Sequence, residues 1–138
     1  ARSRKNPTNL FPPSRLAAPE VSMAAAVITT LRAYIAAFNA HDIEATLSHL
    51  DADVQVFLEG SLAAEGRETI KPSYVGDFEA GKQVSIVEEP VVVEEDGSLS
   101  KVKVVLQTGK TRLDVVYTFR VSDLKQVKHE ISNVVTVE

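Results

Sequence analysis

From Val21 onward, apolar residues recur at three- and four-residue steps: Ala24, Val27, Ile28, Leu31, Tyr34, Ile35 and Phe38. That spacing lays one apolar stripe along a long helix. Asn39 and Ala40 end the stripe. Asp42 is placed to cap a second, shorter helix that turns Ile43, Leu47 and Leu50 inward. The period then drops to two. Val54, Val56 and Leu58 predict a strand, broken at Gly60. A third helical segment is expected within residues 67–80, with Pro72 starting or kinking its main part and Gly81 closing it.

The rest of the chain reads as sheet. Residues 84–94 form one strand, bent at Pro90, and Asp96-Gly97 marks a hairpin. Residues 99–107 follow, with Val102, Val104 and Leu106 on one face. After a turn at Gly109-Lys110, Leu113, Val115, Tyr117, Phe119 and Val121 alternate. A turn over 122–126 leads to a last strand, 127–137. Helices segregated from four long antiparallel strands define an α+β fold. Val105, Val116 and Val134 point away from the apolar sets of their strands. A sheet with helices on one side usually leaves its other side polar, so these residues predict a homodimer through the outer sheet face.

Composition narrows the chemistry. Cysteine is absent, which excludes disulfides and thiolate chemistry. His41, His49 and His129 have no metal-ligand spacing, and no cofactor-binding motif is present. The net charge of -4 speaks against nucleic acid as a partner. No apolar run approaches the roughly 18 residues of a membrane span, so a soluble protein of the cytoplasm or an organelle lumen is expected. Residues 1–20 stand apart as a basic, proline-broken extension before a domain over 21–138. Leu10 and Phe11 are its candidate anchors, and the start at Ala1 fits a processed N-terminus.

Between the first helix and the first strand the residues Tyr34, Ala37, Asn39, Asp42, Asp51, Asp53 and Val54-Gln55-Val56 form a pattern. Gly66-Arg67-Glu68-Thr69-Ile70 follows it. Together they resemble the NTF2-like superfamily, in particular its SnoaL-like and ketosteroid-isomerase-like branch, over residues 24–137. The resemblance implies a cystatin-like cone: three helical segments packed on a strongly curved antiparallel sheet, with a pocket at the open end. In the isomerase branch that pocket holds a tyrosine on the first helix, matched here by Tyr34, and an aspartate base on the first strand. The base position falls on Leu58, with Glu59 beside it. A further acid on a later strand would fall within 101–107, where this chain has no carboxylate.

The candidate catalytic residues are therefore Tyr34, as donor to a developing oxyanion, and His129, as proton-transfer group. Each also has a plain structural reading, Tyr34 as a packed phenol and His129 as a satisfied sheet or interface residue. Leu58, Glu59, Tyr74, Tyr117, Phe119 and Asn133 are the candidate ligand-binding positions, with Asn133 expected on the His129 face of the last strand alongside Val127, Ile131 and Val135. Asp77 joins Tyr74 at the expected pocket mouth. The pocket is expected to take a small apolar ligand. An acid–base isomerase, dehydratase or hydrolase, a non-catalytic binding module and an assembly domain all remain open, because this fold hosts all three.

Overall fold

The computed structural model describes residues 18–137. The basic extension, with Leu10 and Phe11, lies outside the described residues up to Ala18. Helix α1 (Ala18–Asn39) leads into α2 (Ile43–Ser48), then β1 (Leu50–Leu58), β2 (Ser61–Glu65) and α3 (Arg67–Glu79). Four long strands follow: β3 (Ser85–Glu95), β4 (Leu99–Thr108), β5 (Thr111–Arg120) and β6 (Gln126–Thr136). They make one six-stranded sheet in the order β2-β1-β6-β5-β4-β3. β1 and β6 run parallel; every other neighbouring pair is antiparallel.

Local chemistry places the helices. Asp42 caps α2, its side chain accepting from the Ala45 amide at 3.1 Å. Asn39 acts like a piece of backbone: its Nδ2 donates to the Val84 carbonyl at 2.8 Å, and its Oδ1 accepts from the Val84 amide at 2.7 Å. The end of α1 is thereby tied to the segment entering β3. His41, beside it, hydrogen-bonds the Lys82 carbonyl and stacks on Phe78.

The inward stripe of α1 behaves as its spacing predicts. Val27, Leu31, Tyr34, Ile35 and Phe38 are buried, packed with Val102, Val104, Val115, Tyr117 and Phe119 from the concave side of the sheet. The curvature comes from bulges, each of which bends a strand and increases its twist. β3 takes up three extra residues against β4, in the stretch around Pro90. β6 takes up one at Val127 and another next to Asn133, relative to β5.

One difference from the pattern-based expectation arises after Gly60. The strand β2 was not foreseen, because Ser61-Leu62-Ala63-Ala64-Glu65 is short, alanine-rich and poor in β-branched residues. Glu59 and Gly60 form the two-residue hairpin joining β1 to β2, both with positive φ (49° and 87°). This is the primed turn whose twist matches paired strands, and glycine enters it without steric cost.

Candidate functional site

A cavity of about 390 Å³ lies between the concave sheet face and the helices. α1 contributes Tyr34 and Phe38, α3 contributes Tyr74, β5 contributes Tyr117 and β6 contributes His129. Tyr34 is the hub. Its ring meets those of Tyr117, His129 and Tyr74 edge-on, with centroids 5.8, 6.1 and 6.5 Å away. Tyr117 and His129 are direct cross-strand partners on β5 and β6, 4.7 Å between centroids. The remaining wall is mostly aliphatic, including Val56, Leu106 and Ile131.

The Tyr34 and Tyr74 hydroxyls hydrogen-bond to each other at 2.5 Å. Burial raises the Tyr34 phenol well above its ordinary pKa, and the neighbouring Tyr74 and Tyr117 add to this. Burial likewise pushes Tyr74 up to about 12, against the opposing effect of its bond to Tyr34, and raises Tyr117 further. All three phenols therefore keep their protons at neutral pH. One proton of the Tyr34–Tyr74 pair is consumed inside the pair, which leaves the other free to donate.

His129 is buried, and its Nε2 donates to Gln126 Oε1 at 2.6 Å. Burial holds its pKa down at about 4. At neutral pH it is an uncharged imidazole with its lone pair on Nδ1. The bulge at Val127 makes this pairing, because it brings Gln126 and His129, three residues apart, onto the same face. Charge enters only at the cavity's rim. Asp77 on α3 and Lys82 beyond it both line the space and pair at 3.3 Å.

No group of histidine and acidic side chains that could hold a metal ion occurs among the described residues. No helix among them is long and apolar enough to cross a membrane.

Residues 31–129, well over half of the chain, match the family model of the SnoaL-like domain. The chain belongs to the SnoaL-like family. No curated protein sequence is similar enough to match it. Solved structures show the same NTF2-like, cystatin-like fold. A ketosteroid isomerase-like protein from Erwinia carotovora atroseptica is 20% identical, covers 82% of this chain and 95% of its own, and superposes with a TM-score of 0.59. A SnoaL-like protein of unknown function from Burkholderia thailandensis is 18% identical, covers 80% and 93%, and gives 0.61. A cystatin-like-fold domain of unknown function from Nostoc punctiforme is 16% identical, covers 83% and 79%, and gives 0.65.

Within this SnoaL-like cone the expected residues divide. Tyr34, Tyr74, Tyr117 and His129 converge on the cavity, and Asp77 reaches its rim. Leu58, Glu59, Phe119 and Asn133 do not line it. Leu58 ends β1 with 46% of its surface exposed, and Val56, two residues earlier, takes the wall position. Glu59 is carried into the hairpin turn and donates its amide to the Ile131 carbonyl. Phe119 is wholly buried one layer away from the cavity, 6.5 Å from the Tyr117 ring. Asn133 takes a positive φ of 51° at the second β6 bulge, so it leaves the His129 face and donates to Asp114 at 2.8 Å. Val135 is exposed, and Val127 is the extra residue of the first bulge, so neither continues that face.

Gln126 and Lys82 escaped the sequence reading. Gln126 sits in what reads as a polar turn, and only the bulge after it turns it inward. Lys82 is placed by the Asn39 and His41 bonds to its neighbourhood.

Proposed function

We propose that the protein binds a small, mostly apolar molecule carrying an oxygen acceptor, held in the tyrosine-lined cavity. The observation that carries this reading is the convergence of three protonated phenols on one hollow of about 390 Å³ with mostly apolar walls. Ligand pockets commonly start near 300 Å³, apolar with a few directed polar groups. A cone serving only as an assembly surface would fill that space with its own side chains. The Tyr34–Tyr74 pair gives its one free proton to the ligand oxygen, while His129 contributes a neutral ring.

An acid–base step is the second reading, and Asp77 favours it. Its carboxylate lines the same cavity one helical turn from Tyr74. A carboxylate and a phenol facing one ligand can remove a proton beside a carbonyl and stabilise the resulting oxyanion. His129, with a pKa of about 4, has little driving force as a base at neutral pH.

Native mass spectrometry of protein isolated from its own host is expected to show a retained small molecule. Replacing Tyr34 and Tyr74 together with phenylalanine, which removes both protons of the pair, should weaken that retention about tenfold, the loss of roughly one hydrogen bond. Asp77→Asn should retain the molecule and, if a reaction occurs, abolish its turnover. A protein that carries nothing, and whose cavity no small molecule perturbs, would leave the assembly reading in its place.

The outer sheet face supports a homodimer as a further part of this proposal. Val116 is half-buried there and Val87, Val91 and Val93 of β3 are exposed, whereas Val105 is already covered within the chain. Light scattering at micromolar concentration is expected to give twice the 15.0 kDa of one chain. Val116→Lys should shift it to the monomer. A single-chain mass for the unaltered protein at every concentration would remove the dimer.

A further inference from the structure

The cavity does not end at its rim. An open groove of about 410 Å³ continues from it, walled by Gly81, Lys82 and Gln83 after α3 and by Thr108, Gly109 and Thr111 at the β4–β5 turn. Lys82 and Thr108 line both spaces, so the two meet at those residues. Gly81 and Gly109 take positive φ (74° and 59°), and a Cβ built on either would meet nothing within 4 Å. At these two points the groove is bounded by backbone alone.

The two spaces differ in chemistry. Inside the rim stand phenols, an uncharged imidazole and hydrocarbon. The groove offers an ammonium, two hydroxyls and an amide, and no carboxylate or hydrocarbon side chain lines it. Lys110 stands between Gly109 and Thr111 in the turn, and Arg112 follows, its guanidinium donating to Gln107. This corner is therefore basic, in a chain whose net charge is -4. Asp77 is the nearby counter-charge, 3.3 Å from Lys82, but it lines the cavity and not the groove.

Lys82 is fixed at its backbone and loose at its tip. Its amide donates to the Asp77 carbonyl at 3.0 Å, and its carbonyl accepts from His41 at 2.7 Å. Val84, two residues on, is clamped by Asn39. The Lys82 side chain is 51% exposed. An ammonium carries three N–H donors, so the pair with Asp77 leaves others for the groove.

We propose that the groove is a second subsite, for an anionic group that the ligand carries on a short tether, with Lys82 as its counter-ion. This rests on the binding reading above. An anion carried past the rim would lose its water among uncharged walls, at a cost far larger than that of burying a neutral group. In the groove it keeps part of its water and gains charge-assisted bonds. The ligand is then amphipathic, an apolar body under the rim and a charge outside it.

The chain supplies its own reporter, since it contains three tyrosines and all three line the cavity. Three probes are titrated into the full chain labelled with ¹³C-tyrosine: 4-(2-naphthyl)butanoate, its neutral amide, and 2-naphthoate, whose carboxylate sits directly on the ring. The butanoate is expected to move the tyrosine resonances and to bind about fivefold tighter than the amide, the most that a half-exposed ion pair gives. It should bind at least tenfold tighter than 2-naphthoate, whose ring cannot enter without drawing the charge under the rim. Lys82→Gln should bring butanoate and amide to equal affinity, whereas Lys110→Gln should leave most of the difference. Equal affinity of butanoate and amide in the unaltered protein overturns the anion subsite and leaves the binding reading standing. So does 2-naphthoate binding as tightly as the butanoate. A loss as large from Lys110→Gln as from Lys82→Gln overturns the role of Lys82, because the preference would then come from the general charge of the corner. If neither the butanoate nor the amide moves a tyrosine resonance, the binding reading itself falls, and this inference with it.

Discussion

Replacing Phe119 with alanine is expected to cost about 3–5 kcal/mol of folding stability, a large part of what a domain of this size has. Phe119 is the largest of the fully buried side chains. It lies on β5 next to Tyr117, opposite Ser100 of β4 and Gln126 of β6. Removing the ring leaves a void that surrounding strands cannot close, because their ladders fix their spacing. Phe119→Leu retains most of the volume and should cost far less. Urea denaturation of the two variants measures both. The pair also tests where the ring sits. It does not line the cavity, so Phe119→Leu should leave ligand affinity unchanged. A large affinity loss with little stability loss would mean that the ring reaches the ligand after all.

The parts of this fold that could be read in the sequence are those governed by period alone. α1 shows its stripe because a helix buried on one face cannot avoid one. β4 and β5 show their alternation because their ladder runs without a single register shift from Leu99–Arg120 to Thr108–Thr111. Where the ladder is irregular, alternation misleads. Counting by twos from His129 puts Asn133 and Val135 on the cavity face, yet the second β6 bulge turns both outward. Counting by twos from Val54 puts Leu58 inward, yet at the end of β1 it is exposed and does not line the cavity. A bulge is decided by the neighbouring strand. Its local trace is a residue that tolerates positive φ, such as Asn133, and that alone could not have located it.

The family pattern was legible for a different reason. Its residues are mainly joints. Asn39 clamps Val84, Asp42 caps α2, and the Asp51 side chain accepts from the Asp53 amide and pairs with Arg120. Such joints survive in sequence because each needs one particular side chain at one particular place. They report the cone and say little about its contents. The contents depend on Tyr74, His129 and Gln126, which come from separate elements and meet only in three dimensions. Sequence could nominate Tyr74 and His129 one by one, but not their company.

That company makes stability depend on pH through His129. Its pKa is about 4 in the folded chain, where burial disfavours the imidazolium, and about 6.5 in the unfolded chain. Between those values the unfolded chain binds a proton that the folded chain refuses, so stability rises with pH across this window. The contribution is fully present above pH 6.5, declines as pH falls and is lost by pH 4. A gap of about 2.5 units corresponds to about 3 kcal/mol. His49 adds to the same trend, since burial and the nearby Lys125 also lower its pKa. Asp51 and Asp123, held below the usual carboxylate range chiefly by a backbone hydrogen bond and by Arg120 respectively, lose their stabilisation mainly at lower pH. The His129 share is isolated by His129→Gln, which keeps an N–H for Gln126 but does not titrate. Unfolding free energies measured by urea between pH 4 and 7.5 should fall by about 3 kcal/mol more in the unaltered protein than in the variant. It is the slope that decides, so a variant of lower overall stability remains informative. Parallel curves would mean that His129 charges freely in the folded state, and the neutral ring assigned to the cavity wall would have to be given up.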